Sequence, residues 1–212
     1  MRGLFLVLEG AEGSGKSTQV QKLGEWLRSL GFAHRLTREP GGTAVGEELR
    51  AVMLHGGDIS AETELLVALA ARAAHVHAVV QPALLAGEVV VCDRYELSTF
   101  AYQGLARGLG LEQVKSLNAF ATRGLRADLT IVLDVSAREG EARRTRARAE
   151  FDRIERAGID FHDRVAEAYR LLASTEPAVV LVDGRAAEEA VHAEILRLLQ
   201  GRFSETFPSK AG

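Results

Sequence analysis

The sequence predicts an α/β protein built on a parallel sheet with helices on both faces. Three observations carry that prediction. Five apolar runs of strand length recur, at residues 4–8, 33–37, 88–92, 129–135 and 178–182. The segments between them place apolar residues at helical spacing. The first run passes directly into a glycine-rich loop that opens a helix. Strands alternating with helices pair in parallel, because each crossover helix returns the chain to the same end of the sheet and covers one face. Ligands of such sheets bind beyond the carboxyl ends of the strands, so function is sought in the residues just after each run.

The first run, Leu4-Phe5-Leu6-Val7-Leu8, leads into Glu9-Gly10-Ala11-Glu12-Gly13-Ser14-Gly15-Lys16-Ser17-Thr18. Gly10, Gly15, Lys16 and Ser17 fit G-x-x-x-x-G-K-[ST], a phosphate-cradling loop. Gly10, Gly13, Ser14, Gly15, Lys16, Ser17 and Thr18 are therefore expected to bind a nucleoside triphosphate. The glycines let successive N–H groups point inward at a helix start, where the dipole favours an anion. Lys16 supplies a charge for the β- and γ-phosphates, and the Ser17 hydroxyl is placed for Mg²⁺. The next element is a helix at 15–30, with Val20, Leu23, Trp26, Leu27 and Leu30 apolar along it.

The second run ends in Thr37-Arg38-Glu39-Pro40-Gly41-Gly42-Thr43. A turn that cannot continue either regular element displays Arg38, for anion capture or merely at the surface. Helices are expected at 44–55 and 62–86. The second carries Ala68, Arg72 and His75 along one face. Arginine is rarely buried unpaired, so Arg72 donates to a ligand or to an internal carboxylate, with the ligand favoured; His75 reads as structural. The third run is followed by Asp93-Arg94-Tyr95. Asp93 sits where a P-loop enzyme keeps the acid that helps hold Mg²⁺. Arg94 would grip a substrate phosphate or close a strand-end ion pair.

Helices are expected at 111–122, 137–149, 156–175 and 186–201, around the fourth and fifth runs. Arg143, Arg144, Arg146 and Arg148 precede Arg153 and Arg156, with Glu150, Asp152 and Glu155 interleaved. A solvated helix face and a nucleic-acid arm are alternatives. A basic lid over about residues 141–156, delivering arginine to the transferring phosphoryl group, is favoured because the P-loop has no arginine of its own. Residues 1–202 read as one domain and 203–212 as a frayed tail.

Composition sets outer bounds. The 212 residues are 47% hydrophobic and 26% charged, as in ordinary globular domains. A net charge of -3 argues against nucleic acid as a partner. One cysteine, Cys92, fits a reducing cytoplasm. The N-terminus lacks the pattern of a signal peptide, and no run approaches the ~20 apolar residues of a membrane span.

These motifs resemble those of thymidylate kinases over about residues 4–198. The resemblance rests on Glu9–Thr18, on Arg38-Glu39-Pro40-Gly41-Gly42-Thr43, on Asp93-Arg94-Tyr95 with Ser98-Thr99 and Ala101-Tyr102-Gln103-Gly104, and on Arg148 with Asp152-Arg153-Ile154-Glu155. It implies a P-loop nucleoside monophosphate kinase fold with five parallel strands, a homodimer, and ATP·Mg²⁺-dependent conversion of dTMP to dTDP. Residue by residue, it implies that Glu12 lies by the deoxyribose 3′-hydroxyl. Arg38, Arg50 and Arg94 would surround the monophosphate, with Ser98 in the same site. Arg72 would donate to a thymine carbonyl, Thr99 and Gln103 would lie at the base edge, and Tyr102 would crowd the ribose 2′ position. Lys16, Arg94, Arg148 and Arg153 are the catalytic candidates, and Ser17 with Asp93 the metal candidates. Gly13 stands where one subfamily has an arginine, and its absence resembles the bacterial subfamily with a basic lid. Ala68 stands where the family has a base-stacking aromatic, so a neighbouring apolar residue, Leu69 or Phe100, is expected to cover the base. The rival readings are a related nucleoside or nucleotide kinase with a relaxed base pocket, and a non-catalytic nucleotide-binding regulator.

Overall fold

A computed structural model describes residues 2–146 and 151–207. Its sheet consists of β1 (Phe5–Glu9), β2 (His34–Arg38), β3 (Val89–Asp93), β4 (Leu129–Asp134) and β5 (Val179–Asp183), in the order β2-β3-β1-β4-β5. Every pairing is parallel. β1 is buried along its whole length, and its side chains alternate between two cores because successive Cβ atoms point to opposite faces. Leu6 and Leu8 pack with Leu23, Leu27, Ile131 and Ile195. Phe5 and Val7 pack with Val76, Val80, Val90 and Tyr95. The five expected strands are thus all present, each within a residue or so of its predicted bounds.

The helices are α1 (Lys16–Ser29), α2 (Ala44–His55), α3 (Ala61–His75), α4 (Gln81–Leu85), α5 (Glu96–Thr99), α6 (Leu111–Thr122), α7 (Ala137–Arg146), α8 (Ile159–Thr175) and α9 (Glu188–Arg202). α3 runs into α4 through a π-helical stretch, Val76–Val80, so the predicted helix 62–86 is one continuous rod with a local widening. That rod corrects one expectation: Ala61–Leu85 is, by length and composition alone, long and apolar enough to cross a membrane. Its alanines give it that character, but it is half buried here and carries the buried charges Glu64 and Arg72, as a core helix does.

Two stretches differ further from expectation. α5 and the π-helical Phe100–Ala106 come directly after β3, in a segment whose periodicity is too short to reveal a helix. Chain ends fray unless tied down, and Phe207 ties this one: it is fully buried, with its ring 5.1 Å from Trp26 and 5.3 Å from Phe32. The tail is therefore packed through Phe207. Residues 147–150, including Arg148, and 208–212 lie outside the described residues.

Candidate active site

The loop after β1 turns into α1 through Gly15, which caps the helix at φ 94°, a conformation that disfavours any side chain. Lys16 arches back over this loop. Its Nζ donates to Gly10 O at 3.1 Å, Ala11 O at 2.9 Å and Ser14 Oγ at 3.3 Å. Gly10 and Ser14 therefore hold the lysine from beneath. Burial, with Arg94 nearby, pushes the Lys16 ammonium down to about 8 despite Glu12 and Asp93. Ser17 Oγ donates to Asp93 Oδ2 at 2.5 Å, which unites the two metal candidates at the ends of β1 and β3. A cavity of about 420 Å³ opens over Gly13, Gly15, Lys16, Ser17, Thr18 and Asp93. Among the described residues no three His, Cys, Asp or Glu side chains gather as a metal cage. One hydroxyl and one carboxylate fit Mg²⁺, which keeps most of its coordination for water and phosphate oxygens.

This loop also touches α7. A Cβ on Gly13 would lie 2.3 Å from Gly140 O, and one on Gly140 would lie 2.1 Å from Glu12 O. The two backbones meet with no room for a side chain between them.

A second cavity, of about 170 Å³, shares Glu12, Glu39, Arg50 and Arg94 with the first. It also contains Ala68, Arg72, Ser98, Thr99, Tyr102 and Gln103, so the structure brings together every acceptor candidate except Arg38. Arg38 lies on the P-loop cavity and is half exposed, paired through both oxygens of Glu47 at 3.0 and 2.9 Å. Arg94 adopts φ 73°, a left-handed conformation costly for a side-chain-bearing residue. That turn sends its guanidinium across the junction of the cavities. Nη1 reaches Gly10 O and Ser98 Oγ at 3.1 Å each and Tyr169 Oη at 3.2 Å, and Nη2 pairs with Glu12. Burial pushes the Glu12 carboxyl up, but Arg94, Lys16 and Arg144 overcome it and hold the group at about 2. Tyr102 Oη donates to Glu12 at 3.3 Å, and its ring lies 5.5 Å from the Arg94 guanidinium. Arg50 Nη1 donates to Pro40 O at 2.9 Å.

Arg72 meets an internal carboxylate, one of the two readings of its role, while it borders the acceptor cavity. Nε donates to Glu39 Oε2 at 2.6 Å, Nη1 to Thr99 Oγ1 and Asn118 Oδ1 at 2.8 Å each, and Nη2 to Tyr95 O at 2.8 Å. These bonds use four of its five N–H groups, and the fifth has no partner among the described residues. His75 bridges Glu39 Oε1 and Thr37 Oγ1 at 2.8 and 2.7 Å, the structural part expected of it.

The apolar side of the acceptor cavity corrects another expectation. Leu69 and Phe100 do not border the cavity. Met53 and Leu54 of α2, with Ile154, form that wall around Ala68 instead. The sequence hides Met53 and Leu54 because apolar residues on a helix read as core.

The structure separates the described arginines of the basic run. Arg153 is turned away from the P-loop: its backbone N–H bonds Leu54 O at 3.1 Å, Nε bonds Met53 O at 3.0 Å, and Nη2 pairs with Glu64 Oε2 at 2.7 Å. The arginines of α7 at the P-loop cavity are Arg143 and Arg144. Arg144 is 11% exposed, and its guanidinium lies 4.8 Å from the Phe151 ring. Nη1 comes within 2.6 Å of Glu155 Oε1, yet neither Nε nor Nη1 makes an aligned hydrogen bond among the described residues. Arg144 thus borders the P-loop cavity with two buried donor atoms that make no aligned hydrogen bond among the described residues, while Arg153 is tied to Met53 and Glu64.

The family model "Thymidylate kinase" matches residues 8–195. The chain is 44% identical over 209 residues to a thymidylate kinase of Trichormus variabilis, covering 97% of this chain and 99% of that one. A thymidylate kinase of Leifsonia xyli is 47% identical over 201 residues, covering 94% of this chain and 96% of that one. One from Pelobacter propionicus is 44% identical over 214 residues, covering 96% and 97% respectively.

Proposed function

The chain belongs to the thymidylate kinase family and is a dTMP kinase; from that premise we propose how its residues divide the work. ATP takes the P-loop cavity with its γ-phosphate toward Arg94, and dTMP takes the second cavity with its phosphate at Arg94 and Arg50. The observation that carries this assignment is the border the cavities share at Glu12, Glu39, Arg50 and Arg94. Two bound phosphates would meet there, and phosphoryl transfer needs little beyond alignment and charge neutralisation.

Lys16 neutralises the β- and γ-oxygens, and its rest position across Gly10 and Ala11 keeps it over the cradle. Glu12 holds Arg94 in place until the acceptor arrives and lies beside the sugar. Tyr102 limits room at the 2′ position. We assign Arg144 the catalytic place in preference to Arg153, because it borders the P-loop cavity and two of its nitrogens make no aligned hydrogen bond among the described residues; Arg148 lies outside those residues. Mg²⁺, held by Ser17 and Asp93, supplies charge neutralisation and in-line orientation of the phosphates when bound. No general base is assigned, since the attacking oxygen already belongs to a phosphate.

A homodimer accords with the exposed Leu66 (58%) and Phe120 (89%) on the contacting helices α3 and α6. A cytoplasmic site of action accords with the free, buried Cys92. The deciding experiment is ATP consumption with a panel of acceptors: dTMP, dUMP, dCMP, dGMP and dAMP. Preference for dTMP is expected; equal use of all five would replace the reading with a nucleotide kinase of relaxed base pocket.

A further inference from the structure

Glu64 on α3 is buried, with a side chain 1% exposed, and does not border the acceptor cavity. Three side chains nevertheless converge on its carboxylate. Gln103 Nε2 donates to Oε1 at 2.7 Å, and Arg153 and Arg107 approach Oε2 through Nη2 at 2.7 and 3.1 Å. Burial pushes this carboxyl up, but the hydrogen bonds from Gln103, Arg153 and Arg107 outweigh it and leave the group below its ordinary range.

An ionised carboxylate accepts hydrogen bonds and cannot donate them. The Gln103 amide must therefore present its NH₂ end to Glu64. Its oxygen is left for the cavity that Gln103 helps to form, and it has no partner among the described residues. Arg72, with one N–H left without a partner among the described residues, lines the same cavity. The recognition surface thus includes one acceptor and one donor, each fixed by a buried carboxylate: Glu64 behind Gln103, Glu39 behind Arg72. Thymine and uracil offer the complement, an N3–H donor beside an O4 acceptor. Cytosine offers the inverse, an N3 acceptor beside an amino donor.

We propose that Glu64 is a specificity-determining positioning residue: by locking the orientation of the Gln103 amide, it makes the pocket read an N3–H base edge and reject cytosine. The proposal rests on the dTMP reading of this cavity. Arg153 adds to the same anchor. Bonded to Glu64, Met53 O and Leu54 O, it seats Ile154 on the apolar wall over the base. A pocket built to pair one pattern of donors and acceptors rejects the inverse pattern strongly, because both its polar groups would be left unpaired.

The test is kcat/KM of the wild-type enzyme and Glu64→Gln with dTMP, dUMP and dCMP. A neutral amide at position 64 either accepts or donates, so it tolerates both orientations of Gln103. The dTMP-over-dCMP ratio should fall by about tenfold or more. The dTMP-over-dUMP ratio should stay within about twofold, since both acceptors share the N3–H and O4 edge and the methyl pocket is untouched. A residue that only stabilises the fold would lower all three activities together. Wild-type enzyme inactive on dTMP would refute the dTMP reading. Active wild type with an unchanged dTMP-over-dCMP ratio in Glu64→Gln would refute the lock. Should Glu64→Gln fail to fold, Gln103→Met removes the amide while leaving Glu64 with its arginines. It should lose the same discrimination, and an unchanged ratio there overturns the proposal.

Discussion

Arg72 and Glu39 form a 2.6 Å ion pair in which the two side chains are only 4% and 3% exposed. The pair joins α3 to the turn after β2 and sets the floor of the acceptor cavity. Attraction between such groups offsets a large desolvation cost, so removing one partner leaves an uncompensated buried charge. Arg72→Met should destabilise the protein by about 3–5 kcal/mol, lowering Tm by roughly 6–20 °C for a domain of this size. Glu39→Gln added to Arg72→Met should recover part of that loss in calorimetry. The Glu39 carboxyl is held below its ordinary value of 4.5: burial opposes this, and Arg72 and His75 prevail. Its contribution to stability is therefore complete above that value and is lost as pH falls further. An Arg72→Met variant melting with the wild type would contradict this account.

Lys16 is the group whose charge should limit the pH range of ATP use. Its ammonium is held down to about 8 in the free protein, mainly by burial. The profile of kcat/KM for ATP reports the free enzyme, so it should fall on a limb near pH 8 as the proton is lost. Stability should run the other way. Between about 8 and the ordinary 10.5, the unfolded chain binds a proton that the folded chain lacks, so stability from this group rises with pH. Lys16→Ala should abolish the limb along with nearly all turnover, at little cost in Tm. A flat kcat/KM profile from pH 7 to 9 would rule the assignment out.

Arg144 and Arg153 should separate in steady-state kinetics. Arg144→Ala should lower kcat by about 10²–10³-fold, the cost of losing one preorganised donor to a developing charge. Arg153→Ala should raise KM for dTMP with kcat within about threefold, because its bonds go to Met53, Leu54 and Glu64 rather than to phosphate. The reverse pattern would return Arg153 to the catalytic place.

Ala68→Phe tests how full the base pocket is. Met53, Leu54 and Ile154 already form its apolar wall, so an added ring overpacks it. Overpacking costs about 1–3 kcal/mol, which is roughly five- to 150-fold in affinity. Titration calorimetry with dTMP should show binding weakened by such a factor; tighter binding would mean the wall leaves space for a ring.

The phosphate chemistry is legible in the sequence, whereas the apolar wall of the base pocket is hidden there. Gly10, Gly15, Lys16, Ser17 and Asp93 are readable because backbone wrapping and charge demand particular residue types at fixed spacing. Met53, Leu54 and Ile154 give no such signal, since an apolar residue that covers a base looks like one that covers a core. Glu39 and Glu64 are equally silent. Their meaning lies in partners 33 and 39 residues away, Arg72 and Gln103, and long-range pairing is not written in local pattern. Arg144 is visible within the basic run, but only the packing of Phe151 and Glu155 around it separates it from its neighbours. Phe207 escapes a sequence reading because an aromatic near a chain end carries no mark of the groove it fills.

The contact between Gly13 and Gly140 has a consequence for how this protein can evolve. A side chain at position 13, including an arginine that would bring its own charge to the phosphates, has no place while α7 rests on the loop. A side chain at position 140 is blocked by the same contact from the other side. An arginine on the loop is therefore incompatible with the present seating of α7. Grafting Gly13→Arg alone into this chain would cost the α7 arginine before the new one could act. The glycine pair thus works as a steric lock: neither position can gain a side chain unless α7 and the loop move apart.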